Sequence, residues 1–553
     1  MSTIPYSIFL HTGDKELNSL FSKKRELGLC VGQIKVEENI LGNGIIPFVD
    51  TSIVIIEGDA GTGKTTLALQ ISSAVAEPFS IQNNTRITDD NLIIQPKISK
   101  ILNTRPQWRV VFVSLEQSRD SLLNAVKHFG FGDNKSKERF PDLLNSSSIN
   151  AVPVANQVRI YNLSPLPLTE PESDPIFAER FAQLAHMVEK LADFDKKINT
   201  LFVLDSLNAF TGKPLSRAQL RQLFALFRAK KVPLIATLEQ AKKVPIIATL
   251  EKFEDNELNC GSADEAAGFL ADVFVRLTRD SQNGYLQTFI EISKSRVCLQ
   301  ALGRHLYKTR TAQGSNETDK STRRGLVTYP SIDFTLSQTR LDAEEPKSKQ
   351  FRIATELEEL LLDDHIDSPA CLALQGPPGT HKLALGLNLG MSYLISSRQR
   401  VTRLLIVNFG GQGDIDFEGV AWVESRPTLR RLKHISSPRV GTKYMLKTYS
   451  TKVDQQQGNV IVEVFVLTFQ IGQLTPEECF YRINRVLKDG EDLRRPFHSV
   501  LISDTAQLCT AFPLLSKNPM FFSALLDLFE SKGLLTVGLG VHGTDTPSLR
   551  DIN

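Results

Sequence analysis

The sequence predicts an α/β protein of two domains, each a mostly parallel sheet flanked by helices, and three observations carry that expectation. A short β-branched run, Ile53-Val-Ile-Ile-Glu, enters the Gly-rich loop Gly58-Asp-Ala-Gly-Thr-Gly-Lys-Thr65 and then an amphipathic helix start. Two more buried-type strands, Trp108–Ser114 and Asn199–Asp205, follow with room for helices between them, the spacing of βα units. The second half repeats the order, with Cys371-Leu-Ala-Leu-Gln-Gly376, then a Gly/Pro loop, then a helix, then the strands LLIVNFGG and Val500-Leu-Ile-Ser-Asp504.

At 553 residues the chain exceeds what one core supports, and ordinary domain sizes suggest about two to four domains. Hydrophobic content of 41% and charged content of 23% are those of a soluble globular protein, and no apolar run is long enough to span a bilayer. The N-terminus MSTIPYSIFLHTGDKE has no basic segment followed by an apolar core, so a cytoplasmic protein without membrane association is expected. The 6 cysteines are scattered without a C-x-x-C pair or histidines at ligand spacing, which argues for reduced thiols and against a zinc site. With 64 basic against 62 acidic residues there is no global pull toward nucleic acid, although a local basic face is compatible with these totals.

Residues 1–45 read as a mixed lead-in carrying Lys23-Lys24-Arg25 and ending in LGNGIIPFVD. The loop that follows satisfies G-x-x-x-x-G-K-[ST], the P-loop pattern. Glycines 58, 61 and 63 permit positive φ, so that backbone N–H groups and the positive end of the next helix face phosphate oxygens. Lys64 would reach the β- and γ-phosphates of ATP, and the Thr65 hydroxyl would ligate Mg²⁺. The candidate nucleotide-binding segment is therefore Gly58, Asp59, Ala60, Gly61, Thr62, Gly63, Lys64, Thr65 and Thr66. A helix over about 65–76 and a polar surface insertion, SIQNNTRITDDNLIIQPK, come next.

Glu116 closes the strand VFVSLE where strand ends face a ligand crevice, making it a candidate base for the water that attacks a γ-phosphate; a solvated helix-capping glutamate is the alternative. Leu201-Phe-Val-Leu-Asp205 is an apolar strand ending in an acid, the form of a Walker B strand, and Asp205 is the candidate second Mg²⁺ residue. Residues 229–252 hold the tandem copies AKKVPLIATLEQ and AKKVPIIATLEK; either copy could form the sheet strand after Asp205 and the second could pair antiparallel beside it, but a duplication tolerated at a surface edge is the favoured reading. A helix over 262–270 and two strands around Ser281-Gln-Asn-Gly then lead to Lys294-Ser-Arg296, two cations on one strand face, suited to solvent or to a phosphate. The polar composition of 311–350 reads as a linker, and the strand within it, GLVTYPSIDFTL, is expected to dock on the first domain.

In the second domain, 351–553, the loop Gly376-Pro-Pro-Gly-Thr-His-Lys382-Leu383 is degenerate. His381 stands for the last glycine, Leu383 for the Mg²⁺-ligating hydroxyl, and Gly410 sits where the first domain has Glu116. Catalysis is expected only in the first domain, 46–310.

GDAGTGKTTLALQ, VFVSLEQSRDSLLNAVKHFGF, LFVLDS, and KSR before the strand GRHLYKT resemble the KaiC-like branch of the RecA superfamily of P-loop ATPases, over most of 40–310 and more loosely over 350–545. The resemblance implies two RecA-like domains, with Glu116 as the first of the family's paired catalytic acids. Gln117 takes the place of the second acid, which argues against rapid hydrolysis and protein-kinase activity. It implies that Lys294 and Arg296 reach the γ-phosphate of a neighbouring subunit, in a homo-oligomeric, hexameric ring with ATP at its interfaces. The chain stops about a dozen residues beyond LLTVGLGV, without strands for a second K-x-R, as a shortened domain or a fragment would.

The leading functional expectation is slow, Mg²⁺-dependent ATP hydrolysis in a ring that reports nucleotide state to a protein partner. A DNA-dependent recombinase or helicase-like motor is the alternative, disfavoured because no basic stretch is interleaved with aromatics. A non-hydrolysing nucleotide-gated scaffold is the third reading.

Overall fold

The computed structural model describes residues 5–10, 12, 14–21, 29–35, 48–76, 108–131, 140, 156–163, 173–194, 198–211, 215–239, 263–282, 285–296, 300–311, 325–342, 349–352, 365–377, 380, 382–390, 393–394, 401–409, 429–431, 444–452, 459–469, 474–492, 496–503, 512–516, 518 and 520–541. The chain divides into two compact units, Met1–Ser315 with Arg323–Tyr329, and Asn316–Thr322 with Pro330–Asn553. Both are mixed α/β, and the first holds a large, mostly parallel sheet flanked by helices.

The first unit opens with β1 (Pro5–Leu10), α1 (Lys15–Phe21), β2 (Leu29–Lys35) and β3 (Phe48–Thr51), the three strands forming a small antiparallel sheet. The stretch read as a lead-in thus carries structure of its own, and Asp14 Oδ2 accepts from Thr328 N at 2.8 Å. The main sheet is built from β4 (Ile53–Gly58), β5 (Trp108–Ser114), β6 (Val158–Asn162), β7 (Asn199–Asp205), β8 (Leu234–Glu239), β9 (Val273–Gln282), β10 (Tyr285–Ser295), β11 (Arg304–Arg310) and β12 (Gly325–Tyr329). Its order is β12-β11-β10-β9-β4-β8-β7-β5-β6. Every pair from β9 to β6 is parallel, and β10, β11 and β12 extend the sheet antiparallel beyond β9.

Strand alternation explains the layering. Ile53, Ile55, Val111, Val113, Phe202, Leu204, Leu234 and Ala236 share one core with residues of α4 (Ser173–Phe194) and α5 (Arg217–Ala229). The alternate residues Val54, Ile56, Val110, Phe112, Leu201 and Val203 are equally buried, and α2 (Lys64–Val75) crosses β4, β5, β7 and β8. Between these helices in the chain lies α3 (Arg119–His128), whose first turn is capped by Ser118 accepting from Ser121 N at 3.2 Å. In α5 the buried residues Leu220, Leu223, Phe224 and Phe227 fall at helical spacing, and Ser216 with Gln219 forms a capping box. The last helix of the unit is α6 (Ala263–Leu270).

The first copy of the tandem duplication supplies β8, the strand after β7 that either copy could form, and it runs centrally between β4 and β7 rather than at the favoured surface edge, because its Leu234, Ile235 and Ala236 are buried on both faces of a parallel sheet. The second copy lies outside the described residues, as does the polar insertion after α2. The single strand expected in GLVTYPSIDFTL is instead a strand and a helix. GLVTY forms β12, docked beside β11 in the first unit's main sheet as expected, and Ile332–Asp342 forms α7 of the second unit. Pro330 ends the strand pairing, and Ser331 opens the helix by accepting from Phe334 N at 3.3 Å.

The second unit continues with β13 (Lys349–Arg352), β14 (His365–Ser368), β15 (Ala370–Gly376), α8 (Lys382–Gly390), β16 (Tyr393–Leu394), β17 (Val401–Asn408), β18 (Leu429–Arg431), β19 (Tyr444–Lys452) and β20 (Asn459–Thr468). It ends with α9 (Pro476–Asp492), β21 (Ser499–Ser503), α10 (Pro513–Ser516), α11 (Met520–Ser531) and β22 (Leu535–Val541). The helix expected after the second loop is α8, and beyond it Tyr393–Leu394 pairs with β13. Its seven-stranded sheet runs β15-β22-β21-β17-β20-β19-β18 and is parallel from β15 to β20. Taken by chain order within each parallel core, β4-β8-β7-β5-β6 and β15-β22-β21-β17-β20 are the same sequence of positions, first, fifth, fourth, second and third. The two sheets therefore share a topology. They differ at the loop-bearing strand: β4 lies inside its sheet and is buried throughout, whereas β15 is an edge strand that alternates between half-buried and exposed.

Candidate functional site

The loop of residues 58–65 leaves the carboxyl end of β4 and turns into α2. Its conformation depends on glycine at the expected places: Gly61 has φ +72° and Gly63 φ +88°, and a Cβ on Gly58 would lie 2.6 Å from the Leu277 carbonyl oxygen. Thr62 closes the turn, its N–H and hydroxyl both donating to Asp59 O, at 3.2 and 2.8 Å. The Lys64 side chain folds over the loop and donates to Gly58 O at 2.7 Å and Asp59 O at 2.9 Å.

Beside the loop, Thr65 Oγ1 donates to the Asp205 carboxylate, with 3.1 Å to Oδ1 and 3.0 Å to Oδ2. Thr237 Oγ1, at the end of β8, donates to Asp205 Oδ1 at 2.6 Å. Asp205 is 2% exposed, and that burial raises its carboxyl above the ordinary range, against the hydrogen bonds from Thr237 and Thr65 and the Lys64 charge, which lower it. A buried carboxylate held against the Thr65 and Thr237 hydroxyls offers hard oxygen donors, and the nearby Lys64 ammonium favours its charged form. Among the described residues no three His, Cys, Asp or Glu side chains converge, so the donor set is sparse, as at Mg²⁺ sites that share their cation with phosphates.

Glu116 is exposed two residues beyond Ser114, which is in register with Asp205, and Leu115 N donates to Asp205 O at 2.7 Å. The bend that presents it is held by Ser114 Oγ, which donates to Gln117 O at 2.9 Å and accepts from Gln117 N at 3.1 Å. Lys64, Thr65, Asp205 and Glu116 thus share the carboxyl edge of the parallel strands. Asp59, Ala60 and Gly61 are exposed at the loop tip, and Thr66 lies in the first turn of α2.

Lys294 and Arg296 are not part of this cluster. Lys294 pairs with Phe274 and Arg296 N donates to Asp272 O, at the start of β9, whereas Gly58 is in register with Leu277. At about 3.3 Å per residue the Arg296 end lies roughly 16 Å along the sheet from the loop. Both cations cap α6: Lys294 Nζ donates to Gly268 O at 2.9 Å and Phe269 O at 2.7 Å, and Arg296 Nη2 donates to Phe269 O at 3.0 Å. Burial, with the Arg296 charge beside it, lowers the Lys294 ammonium.

Three contacts escaped the sequence reading. Thr237, Arg279 and Tyr307 reach the site from β8, β9 and β11, with Arg279 Nη2 donating to Gly61 O and the Tyr307 hydroxyl to Thr62 O. Only Thr237 carried a signal, as the hydroxyl at the carboxyl end of an apolar strand.

The degenerate loop of the second unit reproduces part of this geometry. Lys382 Nζ donates to Gly376 O and, at 2.9 Å, to Pro377 O, and Thr380 Oγ1 donates to Pro377 O at 2.8 Å. Leu383 opens α8 at the place of Thr65. His381, Gly410 and Asp504 lie outside the described residues. No family model and no curated protein matches the chain. The class these features define is a mixed α/β protein with a large, mostly parallel sheet flanked by helices, and none of its described helices is long and apolar enough to cross a membrane.

Proposed function

We propose that the first unit is a RecA-like P-loop domain of the KaiC-like type that binds ATP with Mg²⁺ and hydrolyses it slowly. The observation that carries this reading is the convergence of Lys64, Thr65, Asp205 and Thr237 beside a loop whose Gly61 and Gly63 have positive φ. Lys64 exchanges its two carbonyl partners for phosphate oxygens, and the loop amides and the start of α2 supply the remaining donors. Thr65 and Asp205 fit Mg²⁺, which when bound neutralises charge on the phosphate oxygens. Asp205 is held in place for that role by Thr237. Glu116 orients the attacking water and accepts its proton, and Gln117 beside it adds no second base, which suits a low turnover.

Lys294 and Arg296, remote from their own loop, act on the site of a neighbouring subunit, and the homo-oligomer that results is a hexameric ring. The ring works in the cytoplasm and signals nucleotide state to a protein partner. The second unit is a degenerate copy that does not hydrolyse. ATP affinity, turnover and oligomer mass, measured with and without Mg²⁺ and with added DNA, test the reading. Failure of the wild-type protein to bind ATP would sink it, and strong DNA stimulation of turnover would replace it with a nucleic-acid motor.

A further inference from the structure

The antiparallel strands β9 to β12 give the first unit two side chains that grip the loop from the side, for which the described residues of the second unit show no counterpart. Tyr307 in β11 is 1% exposed, and its hydroxyl donates to Thr62 O. Arg279, exposed near the end of β9, donates from Nη2 to Gly61 O. The two flank Thr288 of β10, which is in register with both, and so stand on the same face of the sheet, two strands apart. They therefore hold two successive peptide groups of one loop.

A trans peptide points its carbonyl and its N–H in opposite directions. Drawing Thr62 O toward β11 turns the Gly63 N–H the other way, toward the mouth of α2, where an anion is attracted by the helix end. Drawing Gly61 O outward turns Thr62 N–H onto Asp59 O, 3.2 Å away, and closes the turn. Carbonyl oxygens left to rotate inward would repel a phosphate. Gly61 and Gly63, with positive φ, sit in backbone regions where such rotation meets little steric resistance, so an external hold matters here.

The second unit supplies the contrast. Its loop has the lysine and threonine contacts of the first, but β15 is the edge of its sheet, and among the described residues no strand lies on the side where β9 to β12 stand in the first unit.

We propose that Tyr307 and Arg279 are positioning residues that set the loop of residues 58–65 in its anion-binding form, and so fix the affinity for nucleoside di- and triphosphates. The inference rests on the nucleotide-binding reading of that loop. The role assigned to both runs through the loop backbone they hold.

The test uses the full chain with Tyr307→Phe, Arg279→Ala and Arg279→Lys, titrated with Mg-ATP and Mg-ADP by calorimetry, with thermal melting of the nucleotide-free proteins alongside. Loss of one buried hydrogen bond in Tyr307→Phe should weaken both nucleotides about five- to tenfold. The unliganded melting temperature should fall by about 2 °C at most, and kcat at saturation should hold while KM rises. Arg279→Ala should weaken binding similarly, and Arg279→Lys, which keeps a cationic donor, should recover most of it. Unchanged affinity, or affinity lost only in step with the unliganded melting temperature, overturns the proposal. Amide hydrogen exchange over residues 58–64 without nucleotide gives a second reading. Faster exchange in Tyr307→Phe supports the grip, and identical exchange overturns it. If wild-type protein binds no Mg-ATP, the nucleotide reading falls by itself, and exchange alone still decides whether the loop is held.

Discussion

The Thr65 hydroxyl stands 3.0 and 3.1 Å from the two carboxylate oxygens of Asp205, a residue 140 positions further along the chain. That pairing needs β4 and β7 in one parallel sheet with only β8 between them. Asp205→Asn keeps a hydrogen-bond acceptor for Thr65 and Thr237 but removes a charge that burial disfavours. The unliganded protein should melt at a higher temperature than the wild type, because the neutral amide avoids the burial cost that raises the Asp205 carboxyl, while the Mg²⁺ dependence of ATP binding disappears. Thermal melting and calorimetry with and without Mg²⁺ measure both effects.

Lys64→Ala removes the ammonium that now bridges Gly58 O and Asp59 O. ATP affinity should fall at least about a hundredfold, the cost of a desolvated charge meeting phosphate. Equal ATP affinity in the variant would remove the site assignment.

Glu116→Gln should bind ATP as the wild type does and turn it over about 10²-fold more slowly, the usual contribution of a positioned base. Single-turnover hydrolysis under saturating Mg-ATP reads this directly. Unaltered turnover would leave Glu116 as a surface residue at the start of α3.

Lys382→Ala should leave steady-state ATPase activity within about twofold of wild type. Leu383 offers no oxygen for Mg²⁺, and the loop hangs from an edge strand. Loss of most activity in correctly assembled protein would reveal a second working site.

Arg296→Ala and Lys64→Ala should each be inactive alone and regain part of the ATPase activity when mixed. An interface between them can join one intact loop to one intact cation, and such a cation contributes about 10³-fold or more in arginine-finger systems. The cations' distance from their own loop is what motivates the experiment. Co-assembled mixtures that stay inactive would refute action in trans.

His305 in β11 is fully buried, and burial lowers its imidazole to about 4. The folded state therefore binds fewer protons than the unfolded chain, whose histidine titrates near pH 6.5. The stability this histidine contributes is present above about pH 6.5 and is lost as pH falls toward about 4, at up to about 1.4 kcal/mol per pH unit. Urea unfolding of wild type and His305→Gln between pH 7 and pH 4 should show a shallower pH slope in the variant.

The glycine spacing of 58–65, the apolar strand ending in Asp205 and the repetition of the same order in the second half were legible because each is local. A turn, a strand and a helix start are written within about a dozen residues, and period and punctuation suffice to read them. Strand neighbours are not local. That β8 runs through the centre of the sheet, that Thr237 meets Asp205, and that Arg279 and Tyr307 reach a loop more than two hundred residues upstream follow from which strands pair. Apolar strands of similar composition leave that choice open until the whole core is packed. The edge position of β15 against the interior position of β4 is decided the same way. One chain segment encodes each loop, but the tertiary sheet determines whether anything stands beside it to hold it.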